Sequence, residues 1–398
     1  DLSTSYSTHR LLVSFEKPLN SQLSLLVTPS FGRDYQEFSL GNSFNVSSDQ
    51  WSFEGRLELP WEPSKHFRLV PGVAFLAGWT GFSFELPFNP TLFGVYDPFA
   101  EREPYTLDGN QNGWGPDPYV FAQIRPLKDP DRLLLTPGIR FSYVNLPGEL
   151  VQKSFDPRFS FRWSMVEGSR LKGSVGLYSQ PPLPFQAYRP DDKMVELVPQ
   201  KTLSNTIGFE QDVGQAVSGS VEFFYKWMYD LIVTNPNFTG LDSAFFLNSG
   251  LGRSYGMEVL IRHNPVKNFF GWVSYTLSKS ERKDAPEEDW YLFDFDQTHI
   301  LTMIGQYQFT PQWSLGLRWR YVTGLPYTPY SGSTFDSDSG TYVPIASAVN
   351  SARNKAFQQV DIRIDRKWIY NNWSLNLYFE VQNAFNRSNP EGLRYNFN

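Results

Sequence analysis

Histidine, aspartate and glutamate are the residue types in this chain that could bind a metal ion or move a proton. The chain has four histidines, and none pairs with another at the spacing of metal ligands: His9, His66, His263 and His299. His299 follows Asp294 and Asp296 in the segment FDFDQTH, which invites a metal or acid/base interpretation. We favour a simpler interpretation, in which these polar side chains anchor the base of a loop where it enters a strand.

Two other segments resemble ligand loops but fail at a required position. Asp336–Gly340 reads DSDSG like the start of a calcium loop, yet Ser347 stands where that pattern requires Glu. Gly250–Gly256 has the wrong spacing for a dinucleotide loop. The chain has no cysteine, so it has no thiolate nucleophile or ligand. We therefore predict no catalytic residue, metal site or cofactor, and no enzymatic activity.

Charged residues elsewhere recur at every second position, which predicts strands with one polar and one apolar face. The segment 358–383 shows this most clearly, because Val360, Ile362 and Ile364 alternate with charged residues before a very short turn. We predict that the charged sets face a polar lumen: Arg162, Glu222, Lys226, Arg318, Arg320, Asp361, Arg363, Asp365 and Glu380. In a plugged barrel, these residues would contact the plug or line the water-filled lumen. In an open barrel, they would set which ions the channel prefers.

The alternating segments are long, at roughly ten residues, which is the length that a transmembrane β-barrel needs. We predict sixteen strands at about 9–17, 22–33, 51–60, 67–84, 116–126, 132–145, 155–166, 170–179, 202–213, 217–234, 246–263, 268–282, 292–309, 313–325, 355–369 and 373–385. Short turns alternate with longer connections, at about 34–50, 87–115, 147–153, 180–201, 236–245, 283–291 and 326–353. Outer-membrane barrels have this asymmetry, with short periplasmic turns and long external loops.

Composition agrees with an all-β transmembrane antiparallel barrel. Aromatic residues make up 17% of the 398 residues, as expected where rings lie at both membrane interfaces. The mean hydropathy is −0.39, and the formal net charge of −6 gives no reason to expect binding to nucleic acid. The alternative, a large water-soluble β protein, is disfavoured by the strand lengths and by the alternating connections.

Several segments, in their order and spacing, resemble the barrel of TonB-dependent outer-membrane receptors. They include DPRFSFRW from Asp156, VEFFYKWMYDLIV from Val221, FDFDQTHILTMIGQYQF from Phe293 and WSLGLRWRYVTGLPYTPY from Trp313. The resemblance implies a barrel of about 22 strands filled by a plug domain, of which these sixteen strands would form part. Neither a plug nor a TonB-binding segment is visible before Asp1, and the resemblance ends before a last strand. The expected organisation is one transmembrane barrel region over residues 1–398, without a plug domain.

The resemblance further implies import of a nutrient such as a siderophore, glycan or peptide across a Gram-negative outer membrane. Expected partners are outer-membrane lipid and lipopolysaccharide, a plug, a TonB-type energy-transducing protein and other envelope proteins. Two alternatives stay open: a structural barrel in an envelope complex that transports nothing, and a plugless diffusion channel. Tyrosines and an arginine in the long connections are candidate ligand contacts: Tyr188, Arg189, Tyr327 and Tyr330.

Overall fold

The computed structural model describes residues 2–40, 44–86, 105–146, 150–183, 186, 197–236, 246–337 and 341–389. In this part of the chain, no helix is both long enough and apolar enough to cross a membrane. The strands are β1 Leu2–Leu12, β2 Phe15–Pro18, β3 Ser24–Leu40, β4 Phe44–Glu58, β5 Trp61–Ser64, β6 Phe67–Leu86, β7 Tyr105–Ile124, β8 Leu133–Leu146, β9 Leu150–Val166, β10 Ser169–Gln180, β11 Gln200–Val213, β12 Val217–Thr234, β13 Phe246–Val266, β14 Phe269–Lys283, β15 Tyr291–Leu292, β16 His299–Gln308, β17 Trp313–Val322, β18 Pro326–Tyr327, β19 Tyr330–Asp336, β20 Thr341–Ala346, β21 Ala352–Arg353, β22 Phe357–Ile369 and β23 Ser374–Val381.

Nineteen of these strands belong to one sheet, while β18 with β21 and β19 with β20 form two small sheets. Every segment predicted as a strand overlaps an observed strand or two strands separated by a short break. The breaks fall at residues 13–14 and 293–298. The long alternating segments of the sequence therefore do fold as strands.

The structure corrects the predicted bounds of the long connections. Residues 34–50 are strand for most of their length, because β3 continues to Leu40 and β4 begins at Phe44. The strands β7 and β9 likewise begin inside predicted connections. Polar residues near the ends of β3 and β4 pair across the hairpin: Arg33 Nε donates to Asp49 Oδ1 at 2.8 Å. A polar segment was thus mistaken for a loop, although its side chains satisfy one another between strands.

The residues group into two compact units. The first unit comprises Asp1–Ser160, Gly176–Leu203 and Met228–Gly250, and the second comprises Phe161–Val175, Ser204–Trp227 and Leu251–Asn398. In the first unit, β1 and β2 pair with β3, and antiparallel pairing continues through β4, β6, β7 and β8.

In the second unit, β13, β14, β16, β17, β22 and β23 pair in that order, each antiparallel to the next. Leu317 pairs with Ile362, whereas the next residue, Arg318, pairs with Asp361. Because side chains alternate between the faces of a sheet, these pairs define an apolar face and a polar face of the second unit.

Short turns at one end of the strands hold the hairpins in register. Lys267 and Asn268 join β13 to β14, and both have positive φ, of 50° and 67°. Two consecutive residues in this conformation match the twist of antiparallel strands. Gly168, with φ of 76°, turns β9 into β10 and has no Cβ to resist that conformation.

Burial in this protein is inverted relative to a water-soluble domain. Among the described residues, the buried apolar side chains are few: Val70, Leu197 and Val322. Asp156, Asp296 and Asp361 are buried instead. On the apolar face of the second unit, Leu377 is 63% exposed and Phe379 is 68% exposed. Such a face is stable only against an apolar medium, which is the setting of a membrane strand.

Candidate functional site

The polar face of the second unit carries a network of ion pairs across β9, β10, β11 and β12. Glu210 is its centre, since Arg162 and Arg170 each lie 3.1 Å from Oε2 and Lys172 lies 3.3 Å from Oε1. Lys172 also contacts Glu222 at 2.9 Å. The predicted residues Arg162 and Glu222 are therefore joined through Glu210 and Lys172. Arg170 and Lys172 are not among the predicted residues. They lie two positions apart in β10, the spacing that places two side chains on the same face of a strand.

A second network lies on β17, β22 and β23. Arg318 Nε donates to Asp361 Oδ2 at 2.6 Å. Arg363 contacts Asp365 at 2.7 Å and Glu380 at 3.8 Å. These five predicted residues therefore share one face, in pairs whose charges largely cancel.

Two further predicted residues each lie over an aromatic ring and differ from these networks in having no carboxylate partner among the described residues. Lys226 Nζ is 5.7 Å from the centre of the Phe224 ring, and the Arg320 guanidinium carbon is 5.7 Å from that of Phe357. Neither forms an ion pair with a described residue. Their positive charges are therefore not neutralised within the described part of the chain.

Cavities whose linings combine charged, polar and apolar groups lie along this face of the second unit. One of about 430 Å³ is lined by the acids and bases of the second network, including Arg318, Asp361, Arg363 and Glu380. Another, of about 830 Å³, lies nearer the short turns and is lined by Lys267, Gln306, Gln308, Gln312, Asp365 and Lys367. Such linings suit water or a polar occupant.

The FDFDQTH segment joins two connections of the second unit. Asp296 is 1% exposed, accepts the backbone N–H of Ser280 at 2.6 Å, and forms an ion pair with Arg353. Asn350 Nδ2 donates to Asp294 Oδ1 at 2.6 Å. We call this cluster of Asp294, Asp296, Asn350 and Arg353 the latch. Its bonds agree with the predicted loop-anchoring role of the two aspartates.

His299, the remaining polar residue of that motif, contacts an aromatic side chain. Its Nδ1 lies 2.8 Å from the Tyr275 hydroxyl, and the rings are stacked. No group of three His, Asp or Glu side chains in the described residues could hold a metal ion.

The connection before the latch contains a second hydrogen-bonded pair. The Tyr291 hydroxyl donates to Asp284 Oδ1 at 2.6 Å. Burial and this hydrogen bond raise the pKa of Tyr291 above its ordinary value. The phenol therefore stays protonated and acts as a donor that fixes the loop.

The candidate ligand contacts are only partly placed. Tyr188 and Arg189 lie outside the described residues. Tyr327 belongs to β18 and pairs with Ala352, while Tyr330 begins β19 and is 41% exposed. The latch residue Arg353 belongs to β21, so the small sheet that carries Tyr327 is tied to the latch. Ligand contact by these tyrosines stays a prediction.

The sequence of this chain matches a known family, and its fold is similar to those of known proteins. A family model for the β-barrel of TonB-dependent receptor-like proteins matches residues 2–384. The ferric-catecholate import receptor Fiu from E. coli K12 superposes with a TM-score of 0.67 at 14% identity, covering 96% of this chain and 60% of Fiu. BauA, the ferric preacinetobactin receptor from Acinetobacter baumannii, superposes with a TM-score of 0.71 at 12% identity. The match covers 97% of this chain and 60% of BauA.

The FrpB iron transporter from Neisseria meningitidis superposes with a TM-score of 0.68 at 16% identity. The match covers 97% of this chain and 60% of FrpB. This chain thus spans about three fifths of the length of these structures. No curated protein matches it in sequence. The predicted antiparallel barrel is the fold of the matched family, and the match covers nearly the whole chain: this protein belongs to the family of TonB-dependent receptor-like β-barrels.

Proposed function

We propose that this chain is the transmembrane barrel of a TonB-dependent receptor that imports a scarce nutrient across a Gram-negative outer membrane. The observation that carries the proposal is the two-faced sheet, with large apolar side chains exposed on one face and ion-paired networks on the other. Family membership over residues 2–384 supports the transport role. The protein would act as a receptor and transporter, without a catalytic step.

The aromatic side chains support a membrane position. In the first unit, Trp51 and Trp61 lie on one face, with Phe53 and Leu57 between them on the same face. At about 3.3 Å per residue, they are roughly 33 Å apart along the strand. A strand tilted by about 45° would then span roughly 23 Å, close to the height of about 25 Å of the apolar band of an outer-membrane barrel.

The charged face would serve as the inner wall of the barrel. We propose that residues 1–398 form one barrel region, and that a plug domain of the full-length receptor contacts this wall. An inner-membrane protein of the TonB type would supply the energy for moving the plug. Outer-membrane lipid and lipopolysaccharide would surround the apolar face.

The names of similar structures guide the choice of a first cargo. They describe a ferric-catecholate receptor, a ferric preacinetobactin receptor and an iron transporter. We therefore propose a ferric chelate as the first nutrient to test, ahead of glycans and peptides.

Uptake of radioactive iron chelates tests this proposal. The full-length protein would be produced in a Gram-negative host that lacks its own ferric-chelate receptors, with and without TonB. Uptake that requires both the protein and TonB is expected. Uptake that persists without TonB, together with conductance in planar bilayers, would favour the diffusion channel; no uptake of any ferric chelate, glycan or peptide would favour a structural barrel.

A further inference from the structure

Four cationic side chains on the polar face of the second unit share an unusual environment. Each lies over a phenylalanine ring and forms no ion pair with a described residue. We call them the phenylalanine-backed cations: Lys226 over Phe224 at 5.7 Å, Arg262 over Phe270 at 5.9 Å, Arg282 over Phe293 at 4.3 Å and Arg320 over Phe357 at 5.7 Å.

Their neighbours on the same side of the sheet are neutralised in the usual way. Arg318 lies against Asp361, and Arg363 lies against Asp365. A phenyl ring attracts a cation through its quadrupole but carries no net charge. It therefore holds the side chain in place and leaves the positive charge, and most of the N–H groups, available to another partner.

Arg282 shows this most clearly. One terminal nitrogen, Nη1, donates to Ser280 Oγ at 3.3 Å and to the Glu281 carbonyl at 2.9 Å. Its Nε and Nη2 have no hydrogen-bond partner among the described residues. The guanidinium lies 4.3 Å from the Phe293 ring centre, so its free edge is held in a fixed orientation.

The strand register places the three arginines at different levels of the sheet. Arg262 pairs with Trp272 of β14. Arg320 pairs with Thr302, which pairs with Ser274 of β14. Arg282 lies farther along β14 than Trp272 and Ser274, where it pairs with Tyr291 next to the connection that follows β14. The cations are therefore spread from the connection end of the polar face toward the short turns.

We propose that the phenylalanine-backed cations bind an anionic cargo, with Arg282 over Phe293 as the outermost contact and Arg320 over Phe357 farther in. The ligand class is a small molecule with carboxylate, phosphate or catecholate oxygens, because guanidinium groups bind such oxygens with paired N–H donors. This inference rests on the proposed transport function and adds the charge of the cargo. Acidic side chains of a plug are the competing occupant of the same cations.

Binding of two ferric complexes of opposite charge tests the inference. The purified protein would be titrated with a ferric tris-catecholate, which is anionic, and with ferrioxamine B, which is cationic. Quenching of the fluorescence of the 12 tryptophans reports binding. The anionic complex should bind more tightly, and added salt should weaken it. Arg282→Gln and Arg320→Gln should each weaken its binding by about tenfold, the loss of one charge-assisted hydrogen bond.

Arg366→Gln is the matched control, since Arg366 lies over Trp313 and Trp368 on the opposite, apolar face. Phe293→Leu should weaken binding less than Arg282→Gln, because it keeps the charge. A heat-dependent gel shift would confirm that each variant is folded.

Two results would overturn the inference. The anionic complex could bind no better than the cationic one, or Arg282→Gln and Arg320→Gln could leave its binding unchanged, which would assign the cations to a protein partner. In either case, TonB-dependent uptake of a neutral or cationic chelate would still support the transport function. The charge of the cargo and the transport function can therefore fail separately.

Discussion

Asp361 shows how a single charged residue is kept on the polar face. Its carboxylate accepts hydrogen bonds from Arg318 Nε at 2.6 Å, Gln359 Nε2 at 2.8 Å and the backbone N–H of Asn383 at 2.9 Å. These three hydrogen-bond donors replace the water molecules that the carboxylate would otherwise bind. Away from the short turn, where Arg366 lies over Trp313 and Trp368, a charge on the opposite face would meet only apolar side chains and lipid, so the two faces should tolerate charge very differently.

Leu317→Arg should therefore strongly reduce folding into lipid vesicles, whereas Leu377→Arg should reduce it less, because Leu377 pairs with Arg366 near the short turn. An arginine that faces lipid near the midplane costs about 2–4 kcal/mol. Asn376→Arg is the matched control, because Asn376 is next to Leu377 but lies on the polar face near Asp365. The folded fraction, measured by a gel shift, should stay near wild type for this control. Equal folding of Leu317→Arg and Asn376→Arg would contradict the assignment of faces.

At the scale of elements, the latch determines how the outer connections are held. Asp296 binds the end of β14 through Ser280 and binds β21 through Arg353. Asp296 is buried and Arg353 is partly exposed, and removal of the carboxylate leaves both Arg353 and the backbone N–H of Ser280 without this partner. Loss of the carboxylate should thus release the connections while the paired strands persist.

Asp296→Ala should accelerate proteolytic cleavage within 284–298 and 323–356 and leave the heat-dependent gel shift of the barrel intact. Glu287→Ala serves as the control, since Glu287 is exposed in the same connection. Mass spectrometry of the fragments would locate the cuts. Equal cleavage rates in Asp296→Ala and Glu287→Ala would show that the latch does not hold these connections.

The strands were predictable from the sequence because their two faces contact different media. Alternation in β17 and β22 places Leu317 and Ile362 on one side and Arg318 and Asp361 on the other, and this period is visible residue by residue. The latch was not predictable, because Arg353 is far from Asp296 in sequence and meets it only after both connections fold.

The shorter structural features could not be predicted from the sequence, for related physical reasons. Strands of two residues, such as β18 and β21, are too short to show a period. The ends of β3 and β4 carry polar residues that pair across the hairpin beyond the apolar band, and the sequence alone does not distinguish them from a loop. The phenylalanine-backed cations depend on ring positions that only the structure provides.

At the scale of the whole molecule, strands paired along their length satisfy the backbone groups that lipid cannot satisfy. The fold of the matched family is a β-barrel, a closed sheet that leaves no free edge in the membrane. Such assemblies unfold only when many hydrogen bonds break together, so they resist detergents at room temperature.

Boiled and unboiled samples in sodium dodecyl sulfate should consequently migrate differently on a gel. The unboiled protein keeps its paired strands and binds less detergent, so its mobility differs from that of the unfolded chain. The protein should also require detergent or lipid for solubility. Equal migration of both samples, combined with solubility in plain buffer, would contradict a membrane barrel.

Alternate side chains of the same strand should face lipid and an aqueous lumen, and single-cysteine labelling along β17 tests this central claim most directly. The chain contains no cysteine, so each introduced thiol is the only one. Cysteines would replace residues 315 to 320 one at a time, carry a polarity-sensitive dye, and be measured in vesicles with lipid-bound and water-soluble quenchers. We predict strict alternation, with lipid quenching at Leu315, Leu317 and Trp319 and aqueous quenching at Gly316, Arg318 and Arg320. Quenching without a period of two, or aqueous quenching at every position, would contradict the claim.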